Sequence, residues 1–226
     1  MIGVYNGERY LAEAIDSVLC QTYRPLELIV VDDGSIDRTS EVARSYEPQL
    51  RYEFQPRRGL GAARNRAIEL AQGAYFAFLD ADDRFTRTKL QSQMACFHDD
   101  PELDIVFGHT TEFISPDIDN EATRLLRRPV KKAAWRTPNL MLAKRDAFFR
   151  VGLFSTTLKV GIGLEWYTRM TDQGLKIAVP PAVVLERRLH AGNNGIRERA
   201  FRPQYLHVLK AAIDRRREIA PTEPEI

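Results

Sequence analysis

Three aspartates lie within four positions directly after an apolar segment. Residues 74–79 are apolar or aromatic, and Asp80, Asp82 and Asp83 follow them. Carboxylates this close raise one another's pKa unless solvent or a cation separates them. A divalent cation such as Mg²⁺ or Mn²⁺ takes one or two carboxylates together with substrate phosphates, so the aspartates suggest a metal–diphosphate site. A solvated turn whose aspartates cap the next helix is the alternative interpretation.

The segments that must position these aspartates alternate between strand and helix patterns. β-Branched or alternating apolar residues predict strands at 27–33, 50–55 and 74–80. Apolar residues at helical spacing, and glycines at segment ends, predict helices within 8–21, 34–46 and 59–73. Such alternation is typical of a parallel α/β sheet, whose ligands bind beyond the carboxyl ends of the strands.

A second acidic pair occupies the equivalent place on another strand. Asp32 and Asp33 end the predicted strand 27–33, just as the other three aspartates follow the strand 74–80. Parallel strands bring their carboxyl ends to one edge of a sheet. Two acidic strand ends in one sheet therefore favour a ligand site over a solvated turn.

The composition is that of an ordinary globular protein of 226 residues. A net charge of +2 argues against a nucleic-acid-binding protein. Two cysteines far apart, Cys20 and Cys96, form neither a disulfide framework nor a thiol metal site, which favours a reducing compartment. No apolar run approaches the ~20 residues that span a bilayer, and no signal peptide is visible. The expected location is the cytoplasm.

Two long segments, residues 4–39 and 59–85, resemble the nucleotide-binding half of the family 2 glycosyltransferases. The resemblance continues more weakly through 140–155 and 187–195. It implies the GT-A fold, a Rossmann-like α/β fold with a mixed, mainly parallel sheet flanked by helices. It also implies a C-terminal lobe on the acceptor side and a tail helix. The corresponding divisions are a donor half at 1–103, an acceptor half at 104–200 and a C-terminal helix and tail at 201–226.

The resemblance also implies the reaction and its partners. Enzymes of this family move a sugar from a nucleoside-diphosphate donor to an acceptor, usually with inversion at the anomeric carbon. The expected donor here is a UDP-sugar, and the expected cofactor is Mn²⁺ or Mg²⁺. The acceptor is a glycan, a lipid-linked molecule or another compound, and the sequence leaves this choice open.

Five residues match nucleotide-binding positions of the family. By resemblance, Tyr5 lies against the base and Asp33 accepts a hydrogen bond from a base nitrogen, with Asp32 as its neighbour. Arg64 lies near the nucleotide, and Asp82 contacts the ribose or the metal. Packing alone is the other interpretation of Tyr5.

The metal and the diphosphate have their own candidates. By resemblance, Asp83 is a direct metal ligand together with Asp82, and His190 completes the metal or diphosphate site. A neutral imidazole is a suitable metal ligand. A guanidinium offers a two-pronged contact to phosphate oxygens, so Arg187 or Arg188 is predicted to bind the diphosphate. A solvated position is the alternative for both arginines.

The catalytic base is where the sequence departs from the family pattern. An inverting transfer needs a carboxylate within hydrogen-bond reach of the acceptor hydroxyl. The acidic pair that usually supplies it falls on Ile162 and Gly163 in this chain. Glu165, two positions after the usual base, is the predicted substitute, and a first-turn acid that stabilises a helix is the alternative. Trp166 and Tyr167 are predicted to shape the sugar or acceptor pocket, unless they pack in the core.

Three further segments complete the predictions. The first strand is short, with only residues 1–4 before the Tyr5 position, which suggests a shortened or misassigned start. Residues 115–138 are expected to form a mobile loop or insertion that acts as a lid. An amphipathic helix is predicted to begin near Pro203. Its basic neighbours also allow contact with a membrane surface, namely Arg197, Arg199, Arg202, Lys210 and Arg215 to Arg217.

Two other functions compete with glycosyl transfer. A nucleotidyltransferase shares the sheet and the metal but usually opens with a glycine-rich phosphate loop, which residues 4–10 lack. A non-catalytic or impaired nucleotide-sugar-binding protein fits the missing acidic pair and the short first strand.

Overall fold

Four parallel strands form the sheet on which the N-terminal half is built. The computed structural model of the chain describes residues 1–116, 129–190, 192–193 and 199–219. The strands lie in the order β3–β2–β1–β5 and pair in parallel. The first five strands are β1 (Ile2–Val4), β2 (Ile29–Asp32), β3 (Arg51–Phe54), β4 (Tyr75–Ala77) and β5 (Leu79–Asp80). The three strands predicted from the sequence are confirmed, with the last divided into β4 and β5.

The short first strand pairs on both sides. β1 lies between β2 and β5, and the main chain extends this pairing at Met1, whose carbonyl accepts a hydrogen bond from the Leu79 N–H at 3.0 Å. The carboxyl ends of β1, β2 and β5 therefore meet at one edge of the sheet.

Helices cover this sheet as the pattern predicts. The helices of the N-terminal half are α1 (Leu11–Leu19), α2 (Thr39–Arg44), α3 (Leu60–Leu70) and α4 (Lys89–Asp99). α1 buries Leu11, Ala14, Ile15 and Val18, which recur at helical spacing on one face. The helix predictions in this half are confirmed.

Two smaller sheets were not predicted from the sequence. One has the order β10–β7–β9–β4 and the other β6–β11–β8. β11 runs antiparallel to β6 and parallel to β8. The strands are β6 (Arg84–Phe85), β7 (Ile105–Val106), β8 (His109–Ile114), β9 (Leu142–Lys144), β10 (Ile177–Ala178) and β11 (Val183–Leu189). The chain is thus a mixed α/β protein with a parallel sheet flanked by helices, as predicted.

The C-terminal half adds helices beside these sheets. They are a 3₁₀ turn (Pro138–Leu140), α5 (Arg145–Val151), α6 (Ile162–Thr171), a second 3₁₀ turn (Arg199–Phe201) and α7 (Pro203–Ile219). α7 confirms the predicted C-terminal helix. It is held along α6 because Arg215 and Arg216 both donate to the Asp172 carboxylate, at 2.6 and 2.7 Å.

An aromatic cluster joins the two halves of the core. Phe148 stacks on Trp166 with ring centroids 5.0 Å apart, and Phe78 and Phe154 pack around Phe148. The Trp166 indole N–H donates to the Gly152 carbonyl at 2.7 Å, which satisfies its only polar atom. Trp166 is 1% exposed and belongs to this core rather than to a sugar pocket.

Among the described residues, no helix combines the length and the apolar character that crossing a membrane requires.

Candidate donor and metal site

The predicted metal residues converge at one edge of the parallel sheet. Asp80 ends β5, and Asp82 and Asp83 follow it in a turn, hereafter the acidic turn (residues 80–83). His190 follows β11, which runs antiparallel to β6 just beyond that turn. The strand pairing thus brings together residues that lie more than a hundred positions apart in the chain.

The three carboxylates of the acidic turn fit a divalent cation. One oxygen of each of Asp80, Asp82 and Asp83 lies within 4.8 Å of the other two. Burial raises the pKa of the Asp83 carboxyl well above its usual 3.8, and the charges of Asp82 and Asp80 raise it further. Oxygen donors with unbalanced negative charge are what Mn²⁺ and Mg²⁺ require. These residues therefore fit the cofactor that the sequence suggests.

His190 directly faces the acidic turn. Its Nε2 lies 2.9 Å from Oδ2 of Asp82, and its Nδ1 accepts a hydrogen bond from the Gly192 N–H at 3.2 Å. Because Nδ1 accepts a hydrogen bond, Nε2 is assigned as the nitrogen that donates to Asp82. The Asn193 amide also donates to Oδ2 of Asp82, at 3.2 Å. The imidazole and the carboxylate are close enough to serve one cation together.

Asn139 is a site residue that the sequence did not reveal. Its side-chain amide donates to Asp80 at 2.6 Å and to Asp83 at 3.3 Å. The Arg64 guanidinium donates to Asp80 at 2.6 Å and to the Asn139 side-chain oxygen at 3.3 Å. Arg64 thus lies at the acidic turn. Asn139 lies close to a segment without a clear family match, and no spacing signal marks it.

The acidic pair after β2 lies at the same edge but makes different contacts. The Asp33 carboxylate accepts hydrogen bonds from the Gln55 side chain at 2.7 Å and from the Arg58 and Gly59 N–H groups at 2.8 and 2.7 Å. The Asp32 carboxylate is buried and accepts from the Ser35 N–H and the Tyr52 hydroxyl. Asp32 therefore shapes the turn behind Asp33.

The Tyr5 ring carries an arginine on one face. The guanidinium carbon of Arg57 lies 3.3 Å from the centroid of the Tyr5 ring. A cation at this distance is attracted by the ring quadrupole. A nucleotide base that stacks on Tyr5 must use the other face of the ring or displace Arg57. No motif or spacing in the sequence marks Arg57.

A cavity of about 470 Å³ extends from the acidic turn toward α6 and α7. Its lining combines Asp80 and Arg64 with aromatic residues and cations, namely Trp135, Tyr205, Lys159 and Arg187. The Arg187 guanidinium donates to the buried Glu112 carboxylate at 2.8 Å. The cavity is large enough to hold a sugar ring next to the acidic turn.

The two predicted phosphate-binding arginines separate in the structure. Arg187 lines the cavity and is about one-third exposed. Arg188 is 2% exposed and directs its guanidinium into the protein. Alternation of side chains along β11 places the two on opposite faces of the strand.

The N-terminus of α6 presents no carboxylate to the cavity. Ile162 and Gly163 line it at the place of the usual acidic pair. The Glu165 carboxylate instead receives two hydrogen bonds from Arg169, at 2.7 and 2.9 Å, and does not line the cavity. A Cβ added to Gly163 would lie 2.7 Å from Cδ of Pro138, so this position has no room for an acidic side chain.

Tyr167, predicted to shape the sugar or acceptor pocket, is half-buried. It meets Phe107 edge to face at a centroid distance of 6.5 Å and does not line the cavity.

The remaining predictions fall partly outside the described residues. Within the segment predicted as a lid, 117–128 lie outside the described residues, as does Arg197 of the basic tail. The described part pairs with β8 through the Thr110–Ala133 bridge.

Comparison with known proteins identifies the family of this chain. The family model described as glycosyl transferase family 2 matches residues 1–158. The chain belongs to glycosyl transferase family 2. The matched region contains both acidic strand ends, Arg64 and Asn139, whereas α6 and His190 follow it.

Three similar proteins show how far the likeness extends. An uncharacterized glycosyltransferase of Rickettsia typhi is 32% identical over 176 residues, which is 70% of this chain and 54% of the relative's length. S. aureus TarS in complex with UDP-GlcNAc has a TM-score of 0.69 at 19% identity, over 85% of this chain and 58% of TarS. The mannosyltransferase PcManGT from Pyrobaculum calidifontis, solved with GDP-Man and Mn²⁺, has a TM-score of 0.68 at 23% identity, over 99% of this chain and 64% of that protein. At these identities the likeness to the solved structures concerns the GT-A fold.

Proposed function

We propose that this chain is a metal-assisted glycosyltransferase. It moves a sugar from a nucleoside-diphosphate donor, a UDP-sugar in the first instance, to an acceptor with inversion at the anomeric carbon. The observation that carries the proposal is the acidic turn, whose three carboxylates lie within 4.8 Å of one another beside His190. The donors and the Mn²⁺ in the TarS and PcManGT structures support it.

The acidic turn and His190 would hold the cation. Asp82 and Asp83 provide carboxylate oxygens, and His190 provides Nε2 once that nitrogen has lost its proton. A bound Mn²⁺ or Mg²⁺ supplies a Lewis acid that stabilises the charge developing on the leaving diphosphate. Arg64 and Asn139 keep the Asp80 carboxylate in place at the mouth of the cavity.

The nucleotide would occupy the strand ends next to the acidic turn. Tyr5 offers a ring face to the base, and Asp33 offers a carboxylate oxygen to a base N–H. Asp32 supports Asp33 from behind through the turn that ends at Ser35. Arg187 is the arginine placed to meet a phosphate group, because it lines the cavity.

The catalytic base must be a carboxylate that reaches the acceptor hydroxyl. Glu165 is the candidate from the sequence, but its carboxylate is bound to Arg169 and does not line the cavity, so our proposal does not assign it this role. A Glu165 that acts as the base must exchange Arg169 for the acceptor hydroxyl. The alternative is a protein that binds nucleotide sugars without transferring them, and donor turnover separates the two.

The exposed surface of α7 is where we propose that the protein meets a membrane carrying its acceptor. Leu206, Leu209 and Ile213 are exposed on this helix, together with Lys210 and Arg217. We propose that this face makes peripheral contact with an anionic membrane surface on the cytoplasmic side, where a lipid-linked acceptor would be presented. Co-sedimentation with phosphatidylglycerol vesicles tests the contact, and phosphatidylcholine vesicles are the control.

Calorimetric titration of UDP into the full chain tests the donor site. The expected result is binding in the presence of Mn²⁺ that EDTA weakens strongly. Binding of GDP or dTDP in place of UDP would correct the base and keep the reaction class. Failure of all three nucleotides with Mn²⁺ present would overturn the proposed function.

A further inference from the structure

Arg188 uses its polar groups to hold the acidic turn. Its main-chain N–H donates to Oδ1 of Asp83 at 2.9 Å, and its Nε donates to the Asp82 carbonyl at 3.0 Å. Its two terminal nitrogens donate to Ser115 Oγ at 3.1 Å and to Glu13 Oε2 at 2.6 Å. The guanidinium therefore joins the acidic turn to Ser115, the residue after β8, on one side and to α1 on the other.

Two aromatic rings confine the same guanidinium. Its central carbon lies 4.5 Å from the Tyr10 ring centroid and 4.8 Å from that of Phe113. Both rings attract the cation, and the hydrogen bonds to Glu13 and Ser115 hold it in place. Arg188 is 2% exposed and does not line the cavity.

The carbonyl of Arg188 extends these contacts to His190. It accepts a hydrogen bond from the Asn193 side chain at 3.1 Å, and the same amide donates to Asp82 at 3.2 Å. The Asn193 oxygen in turn accepts the His190 N–H at 2.7 Å. Arg188 thus sets both the acidic turn and the loop that carries His190.

We infer that Arg188 is a positioning residue for the metal site and does not bind the diphosphate. Working through the Asp82 carbonyl and the Asp83 carboxylate, it keeps the oxygen ligands at the spacing that a cation requires. This role replaces the phosphate contact that the sequence suggested for Arg188. The inference rests on the proposed metal-dependent donor site. Groups that orient metal ligands typically contribute roughly 10- to 100-fold to metal affinity.

Glu13→Gln is the variant that tests this inference with the least risk to folding. The Glu13 side chain is 46% exposed, so the protein tolerates the change, while Arg188 loses its charged partner. Glu186→Gln is the matched control, because Glu13 and Glu186 both pair with Arg84 at 3.2 Å. No hydrogen bond or ion pair described here joins Glu186 to Arg188. Arg188→Lys is the second variant, since it keeps the charge and removes the planar fork.

Two titrations of the full chain test the role of Arg188. Electron paramagnetic resonance measures the affinity for Mn²⁺ alone, and calorimetry measures the affinity for UDP in EDTA. We expect Glu13→Gln and Arg188→Lys to weaken Mn²⁺ binding roughly 10-fold or more. Their metal-free UDP affinity should stay within about twofold of wild type. Glu186→Gln should change neither quantity.

The outcomes separate this inference from the proposed function. Weaker metal-free UDP binding with unchanged Mn²⁺ affinity would show that Arg188 contacts the diphosphate, and the inference would be wrong. A lower Tm with unchanged Mn²⁺ affinity would also overturn it, because the role would then be purely structural. A wild-type chain that binds Mn²⁺ but no nucleotide would overturn the proposed donor site alone. A wild-type chain that binds no Mn²⁺ would overturn both.

Discussion

The two ends of the cavity hold their polar groups in different ways. At the acidic turn, each carboxylate has partners from distant elements, namely Arg64, Asn139, Arg188 and His190. At the N-terminus of α6, Ile162 and Gly163 face the cavity, and the acid of the first turn, Glu165, bonds within its own helix. The first end is prepared for a charged ligand. The second is shaped mainly by packing.

The largest effect is expected when the acidic turn loses its buried carboxylate, that of Asp83. Asp83→Asn removes a ligand charge without changing size, so Mn²⁺-dependent UDP binding should fall by roughly 100-fold or more. Calorimetry with Mn²⁺ measures it. Asp99→Asn, on the exposed end of α4, is the control and should bind as wild type. Retained metal-dependent binding in Asp83→Asn would remove Asp83 from the ligand set.

The second prediction concerns Lys89, a buried lysine at the start of α4. Burial lowers the pKa of its amine from 10.5 to about 7, although Nζ donates to Gln93 and to the Met141 carbonyl. Between pH 7 and 10.5 the unfolded chain holds the proton and the folded chain does not, so stability rises with pH across this window. The whole effect is on the order of 5 kcal/mol at ~1.4 kcal/mol per pKa unit.

Lys89→Met isolates this contribution. In this variant, the free energy of unfolding should rise less steeply with pH than in the wild type, because the Lys89 contribution is gone. Denaturant unfolding from pH 6 to 10 measures the slope. Lys176→Met, at an exposed lysine, should keep the wild-type slope. An unchanged slope in Lys89→Met would mean that Lys89 keeps its ordinary pKa in the folded protein.

The third prediction tests the packing at the α6 end. Gly163→Asp restores an acid near the usual place of the base, but its Cβ meets Pro138 at 2.7 Å. Overpacking of this kind typically costs about 1–3 kcal/mol. Thermal unfolding measures the loss, and Gly174→Asn, at an open glycine with positive φ, is the control. A stable Gly163→Asp protein would show that the 3₁₀ turn at Pro138 moves readily.

The smallest expected effect belongs to Glu165. Because its carboxylate bonds to Arg169 and does not line the cavity, Glu165→Gln should cost about 0.5–1 kcal/mol of stability. Donor hydrolysis and transfer should stay within about threefold of wild type, because we do not expect Glu165 to act as the base. Removal of a catalytic base typically lowers the rate far more, by roughly 10²–10⁴-fold. A loss of turnover of that larger size, with normal UDP binding, would instead establish Glu165 as the base.

Length explains only part of the difference between the elements that were predicted and those that were missed. β8 and β11 have six and seven residues, and they were missed although they are longer than β2 and β3. α1, α3, β2 and β3 have apolar residues at a clear period or clear turn residues at their ends, and all four were predicted. The strands β6, β7 and β10 have two residues each. A two-residue strand shows no period, so its pairing depends on neighbours that are distant in the chain.

The order of residues along the chain was enough for the α/β class and the acidic strand ends, whereas the place of His190 beside them was expected only from the family resemblance. Local patterns encode those features, because a strand, its period and the residues at its end are contiguous. Only the tertiary structure decided the rest. Asn139 reached the acidic turn, Arg188 turned inward while Arg187 faced the cavity, Trp166 entered the core, and Glu165 bonded to Arg169. Each depends on which face of an element meets which neighbour, and packing between distant segments determines that face.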